Sequence, residues 1–209
     1  RQIWEVLHPF RLKMMSLAPA EFIHFGTTGE LLALMTRDID AYEFLGWKRK
    51  TACNNANAGN FSGRNSLLHT EADLADNCYI EDSRIGGVVC VGENCVISNL
   101  TLKNEHIPPG TVLHALQLQD GKRCVRIYGV DDDIKSLKTL FSLPLGSFSG
   151  AQSLWETPLY PACRNLSEAV SCALKLYQHV HKLVAKLSGI HTGSLTEVLG
   201  LSELFAGKR

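Results

Sequence analysis

The chain has 209 residues, 45% of them hydrophobic, with 21 basic side chains set against 21 acidic ones. That length can bury a sizeable core in one large domain or two small ones. The balanced charge excludes a general nucleic-acid or membrane-surface binder, and no apolar run approaches the span of a bilayer. Arg1 stands in what reads as the middle of a helix and no secretory leader is present, so a soluble, cytoplasmic piece of a larger protein is expected. Seven cysteines without a Cys-x-x-Cys pair fit a reducing compartment better than a disulfide framework or a zinc site.

Residues 1–37 read as mixed α/β. "RQIWEVL" is helical and Pro9 stops it; "RLKMMSL" and "AEFIHF" are candidate strands. Thr27 stands three before Glu30, the spacing of a capping box, and "GELLALMT" continues as a short helix with Leu31, Leu32 and Met35 on one face. "NNANAGNFSGR", residues 54–64, is rich in Asn and Gly and reads as an irregular loop.

From Leu68 the period changes. Leu68, Leu74 and Ile80 are six apart and, after one five-residue step, so are Ile85, Val91 and Ile97. Four positions beyond several of them stand Ala72, Cys78, Val89, Cys95 and Thr101, while Gly86 and Gly92 directly follow two of the leading residues. This is the hexapeptide pattern of a left-handed parallel β-helix, in which each strand and turn forms one side of a triangular prism. The aliphatic residue fills the interior, the small one fits near the corner, and about two full coils are expected. Ile107 and Thr111 in "HIPPGTVL" begin one more rung.

Asp120-Gly121 between "VLHALQL" and "RCVRIYGV" predicts a hairpin. Asn165 and Glu168 open a long amphipathic helix with its apolar stripe over Leu166, Val170, Ala173, Leu174, Tyr177, Val180 and Val184, ended by Gly189. Ser194 and Glu197 open a further helix.

"EFIHFGTTGELLALMT", "VGENCVISN", "YGVDDDIKSLKTL" and "FSGAQSLWETPLYPACRNLSEAV" together resemble the GDP-fucose pyrophosphorylase (fucose-1-phosphate guanylyltransferase) family, over about residues 18–178. The related fucokinases carry a similar region that fits less well around the Leu-Trp segment. The resemblance implies an α/β edge of a nucleotidyltransferase domain over 1–50, a short left-handed parallel β-helix with a hairpin over 51–130, and a mainly helical region over 131–209. It also implies a reaction, attack of fucose 1-phosphate on the α-phosphorus of GTP, giving GDP-fucose and pyrophosphate with Mg²⁺. The partners would then be GTP and a sugar 1-phosphate, with the ends of the coil stack offering edges for a homo-oligomer. The family's Gly-rich nucleotide loop is not found in this sequence, so the magnesium ligands are expected outside the chain and the chain alone is expected to be inactive. Two other readings stay open: the non-kinase region of a fucokinase or bifunctional enzyme, and a non-catalytic β-helix assembly module.

In the wider nucleotidyltransferase group a metal-binding Asp stands two residues before Gly-Thr, and the matching position here is His24. Magnesium prefers hard oxygen donors, so His24 is expected to bond a phosphate oxygen or a metal-bound water; bonding to a neighbouring carbonyl is the structural alternative. Gly26 would let the backbone approach a phosphate, and the Thr27 and Thr28 amides open a helix whose dipole favours an anion; plain capping is the alternative for both threonines. Asp131, Asp132 and Asp133 read as a solvated turn and helix start rather than a metal site. His179 and His181 lie on different helix faces, and His69, His106 and His114 lack partners at ligand spacing. Arg84, Lys103 and Arg126 are candidate phosphate contacts, and Trp155 reads as a core anchor before a stacking platform.

Overall fold

A computed structural model of the chain describes residues 2–11, 13–16, 18, 22–24, 26–54, 60–136, 138–144, 153–154 and 159–187. Helix α1 (Gln2–Leu7) buries none of its residues. Helix α2 (Thr28–Ala33) runs directly into a π-helical turn, Leu34–Asp38, and a 3-10 segment, Ile39–Leu45, that ends on Gly46 in the left-handed region. The described residues at 13–16 and 22–24 form no strand, contrary to the sequence pattern. A strand needs a partner for its backbone groups, and Met14, Met15 and Phe22 lie exposed with no sheet beside them.

From β1 (Lys50–Thr51) the chain winds into a three-sided parallel β-solenoid. One side stacks β1, β2 (Phe61–Arg64), β5 (Cys78–Glu81), β8 (Val96–Ser98) and β11 (Thr111–Gln117). The second stacks β3 (Leu67–Leu68), β6 (Arg84–Ile85) and β9 (Thr101–Leu102); the third stacks β4 (Asp73–Leu74), β7 (Cys90–Val91) and β10 (His106–Ile107). Five parallel strands on the longest side mark about four turns, rather than the two read from the sequence. The difference lies partly at β2, where a loop was expected. Phe61 is fully buried in the prism and pairs with Cys78. Gly63 is required there, because a Cβ would stand 2.7 Å from Cys53 Sγ.

From β2 onward, partners in successive turns are 17 residues apart: Phe61 opposite Cys78, Leu68 opposite Ile85, Leu74 opposite Val91. The last turn shortens to 16, with Cys90 opposite His106 and Val96 opposite Val112. Leu68, Leu74, Ile80, Ile85, Val91 and Ile97 all point inward, at 4% exposure or less. Ala72, Cys78, Val89 and Cys95 are buried as expected, but Thr101 is exposed. After Ile97 the chain makes a second five-residue step, so Leu102 takes the interior position beside Ile85. On those short steps the corner residue comes one place earlier: Ser66 and Ser83 are buried, and each hydroxyl accepts the amide one turn up, Ser83 N–H to Ser66 and Leu100 N–H to Ser83. Ile107 and Thr111 form the further rung, both buried.

Two corners carry ladders of residues at positive φ. Asn65, Asp82 and Asn99 line one; Asn77, Asn94 and Gly110 line the other. Asn and Asp tolerate this region through their short polar side chains, and glycine pays no Cβ penalty.

The top of the prism is closed by the predicted hairpin: β12 (Arg123–Gly129) runs antiparallel to β11. Helix α3 (Leu166–Leu187) packs over β12 and β9. It starts as the sequence indicates, with the Glu168 amide donating to Asn165 Oδ1 at 2.8 Å. Val170, Ala173 and Val180 share one buried core with the solenoid interior, joined by Leu140, Phe141, Leu154 and Leu159. No helix begins at Asp131–Asp133. The chain there turns into a small hairpin, β13 (Thr139–Leu140) with β14 (Leu143–Pro144), and Asp132 is buried rather than solvated. Gly189 and the Ser194–Glu197 capping pair lie outside the described residues. Among those described, no helix is long and apolar enough to cross a membrane, and all seven cysteines are free.

Candidate functional site

The Gly-Thr-Thr turn is set against the outer face of the longest sheet. Leu32 of α2 packs with Tyr79, Val96, Val112 and Val130, and Met35 adds to this second cluster. Arg49 ties the far end of the helix down, donating to the Thr36 carbonyl and pairing with Asp40 at 2.8 Å. At the near end, Thr28 hydrogen-bonds the Tyr128 phenol, whose pKa is raised by burial.

The capping box is present in full. Glu30 N–H donates to Thr27 Oγ1 at 3.2 Å, and the Glu30 carboxylate accepts Gly26 N–H at 2.7 Å and Thr27 N–H at 3.0 Å. These two amides hold the Glu30 carboxyl below its ordinary range, the Gly26 bond contributing most. The amides of Gly26 and Thr27, expected to face a phosphate, are thus engaged by the chain's own carboxylate in this state. His24 is largely exposed, with Nδ1 3.8 Å from Glu30 Oε2. Gly26 gives its ring room, since a Cβ there would meet His24 Cε1 at 2.6 Å. His24, Gly26, Thr27 and Thr28 therefore form one exposed turn, stapled by Glu30 and seated on Tyr128.

Beside Tyr128, on the same sheet face, runs a polar row that the sequence reading did not assemble. Arg64 pairs with Glu81, Glu81 with Ser98, Ser98 with His114 and His114 with Arg126, each directly across from the next. Glu81 accepts from Ser98 Oγ at 2.8 Å and from Tyr79 Oη at 3.0 Å. Burial, then the nearby Arg126 cation, lowers the His114 pKa. The signal lay in the 17- and 16-residue turn lengths, which place these positions in register once both are known. Of the three basic candidates, Arg126 lies two residues along β12 from Tyr128; Arg84 stands in β6 on the second side and Lys103 follows β9. Trp155 lies outside the described residues. His179 and His181 sit on α3, where the His181 ring packs at a tilt against Tyr177 with ring centroids 4.1 Å apart. The described residues bring together no group of three metal-ligating side chains.

On the opposite flank of α2 a cavity of about 280 Å³ opens between the helix and the Asn77–Asn94–Gly110 corner.

Comparison with known proteins adds three findings. The family model for the fucose pyrophosphorylase domain matches residues 1–169. A human protein named fucose-1-phosphate guanylyltransferase is 28% identical over 95% of this chain and 39% of its own length. A mouse protein of the same name is 25% identical over 86% of this chain and 36% of its own. The chain thus spans less than half the length of these relatives. No solved structure gives a significant match.

Proposed function

The chain belongs to the fucose pyrophosphorylase family, and from that premise we propose that it is the solenoid-bearing part of a nucleotidyltransferase that moves GMP from GTP to L-fucose 1-phosphate. The match of the family model over residues 1–169 carries the reading, and the seating of the Gly-Thr-Thr turn on the solenoid supports it. The products are GDP-L-fucose and pyrophosphate, and the compartment is the cytoplasm. The solenoid winds left-handed in this reading, and residues 1–50 are the edge of the α/β domain that holds the nucleotide. The exposed side chains of Met14, Met15 and Phe22 then pack against the rest of that domain.

In such a reaction the protein contributes positioning and charge neutralisation at the transferring phosphoryl group. His24 is the group placed to bond a phosphate oxygen, because its ring is solvent-exposed on the turn. An arriving phosphate would compete with Glu30 for the Gly26 and Thr27 amides, and displacement of that carboxylate would open the turn to it. Magnesium would draw the negative charge of the triphosphate, on ligands outside the described residues. Arg126, two residues along β12 from Tyr128, is a further basic side chain on the same sheet face.

His24→Ala, made in the protein at its natural full length, tests the assignment. GDP-fucose formation is measured at saturating Mg²⁺, and a drop of about tenfold or more in kcat/KM is expected for loss of a charge-assisted bond. Unchanged turnover and unchanged KM for both substrates would return His24 to a purely structural role.

A further inference from the structure

The cavity beside α2 has walls of unusual character. Arg37 from the π-turn and Asp131 from the segment after β12 face it from two sides, and Asn77 and Asn94 line the corner between them. None of these four side chains has a hydrogen-bond or ion-pair partner among the described residues. The contrast with the other asparagine corner is sharp. There, Asn65 Nδ2 donates to Asp82 at 2.7 Å and Asn99 Nδ2 to the Ala115 carbonyl at 3.2 Å. Positive φ accounts for asparagine at these corners, and it leaves the amide groups themselves unused. Asn77 and Asn94 both sit at φ +58°, and the next position of the same ladder, at φ +65°, is Gly110. Glycine meets that requirement at no cost.

The composition of the walls selects a ligand. Guanidinium and carboxylate together disfavour a bare metal ion, repelled by Arg37, and an anion that brings no hydroxyl donors for Asp131 to accept. The two amides occupy equivalent positions on successive turns, about 4.8 Å apart, and each offers donors and an acceptor. Leu32, Ala33 and Val130 supply an aliphatic strip between the polar groups. A ligand matched to this has vicinal hydroxyls that donate and accept at once, and one apolar ring face. The geometry points to a monosaccharide-binding site in this cavity, with Asn77, Asn94 and Asp131 bonding ring hydroxyls and Arg37 placed for a phosphate substituent. The volume, about 280 Å³, lies just below the roughly 300–1,000 Å³ of small-molecule sites, a size that suits one sugar. The site stands apart from the transfer reaction; only the choice of fucose among the probes rests on the proposed function.

Calorimetric titration of the chain with L-fucose 1-phosphate, L-fucose, D-mannose and inorganic phosphate tests it. Asn77→Gly and Asn94→Gly remove the amides and keep the backbone conformation, and Arg37→Gln alters an exposed helical residue, so all three variants fold. Expected are binding of L-fucose 1-phosphate and of at least one free sugar, and about tenfold weaker binding of both in Asn94→Gly. Arg37→Gln should weaken the sugar phosphate and leave the free sugar nearly unchanged. Three outcomes would overturn the proposal: no binding of any sugar, affinities unmoved in both glycine variants, or inorganic phosphate binding as tightly as the sugar phosphate. Binding of D-mannose equal to L-fucose would uphold the cavity as a monosaccharide site that does not select fucose. Undiminished GDP-fucose synthesis with no sugar bound here would sink the cavity alone.

Discussion

Asp132 is flanked by two residues of its own kind, and only the folded chain separates them. Asp131 and Asp133 are exposed, while the Asp132 carboxylate is 3% exposed and accepts three backbone amides: Gly129 at 2.6 Å, Phe141 at 2.6 Å and Ser142 at 3.0 Å. Phe141 and Ser142 have positive φ, so the carboxylate secures a turn that neither side chain favours. A carboxylate satisfied by amides can be buried where an unpaired one cannot. Asp132→Asn keeps the size and loses the charge, turning one acceptor oxygen into a donor against amides. A loss of about 2 kcal/mol in urea-unfolding stability is expected, against less than about 0.5 kcal/mol for Asp133→Asn. Equal effects at the two positions would refute the role given to Asp132. Nothing in three consecutive aspartates marks the middle one. The Thr27–Glu30 box, by contrast, is readable because its partners are three residues apart on one chain segment.

At the level of the strand and corner, the two five-residue steps govern what is buried. The repeat of six assigns Thr101 to the prism, but the shorter step turns it outward and seats Leu102, fully buried, above Ile85. Leu102→Ala should therefore cost about 2–5 kcal/mol, the range for a large side chain removed from a close-packed core, and Thr101→Ala less than about 0.5 kcal/mol. Denaturant midpoints at constant slope would measure both; a reversed order would mean that the six-residue period holds unbroken. The aliphatic positions were legible because a prism interior admits only such side chains at regular intervals. Phe61–Arg64 was hidden because its glycine serves close approach and its serine is buried mid-strand opposite Tyr79, and the same residues in a linear reading signal a loop. The described residues at 13–16 and 22–24 failed in the other direction: alternation makes a strand possible, and pairing makes it real.

Across the whole molecule the solenoid interior and the inner face of α3 are one continuous core, so protonation anywhere within it acts on global stability. The hairpin, the long helix and the repeat were each readable from local periodicity, but the polar row and the helix-capped end needed the turn lengths and the docking of distant segments. Two imidazoles lie in these assembled regions: His114 in the row, and His181 against Phe141 and Tyr177. Burial lowers the pKa of each below the ordinary 6.5, with Arg126 adding to the effect at His114 and Glu81 opposing it. The unfolded chain therefore binds protons at these sites at a pH where the folded chain does not. Stability is then complete above about pH 6.5 and falls as pH drops from there towards the lowered folded values. Glu30 and Asp120 carry depressed carboxyl pKa values, from ordinary ones of 4.5 and 3.8. Their contribution is lost only at lower pH, leaving the interval just below 6.5 to the histidines. Urea unfolding through that interval should show stability rising with pH, and the pair His114→Gln and His181→Gln should flatten the slope. A wild-type profile that is flat there, or that falls with rising pH, would mean that neither ring is desolvated as the packing requires.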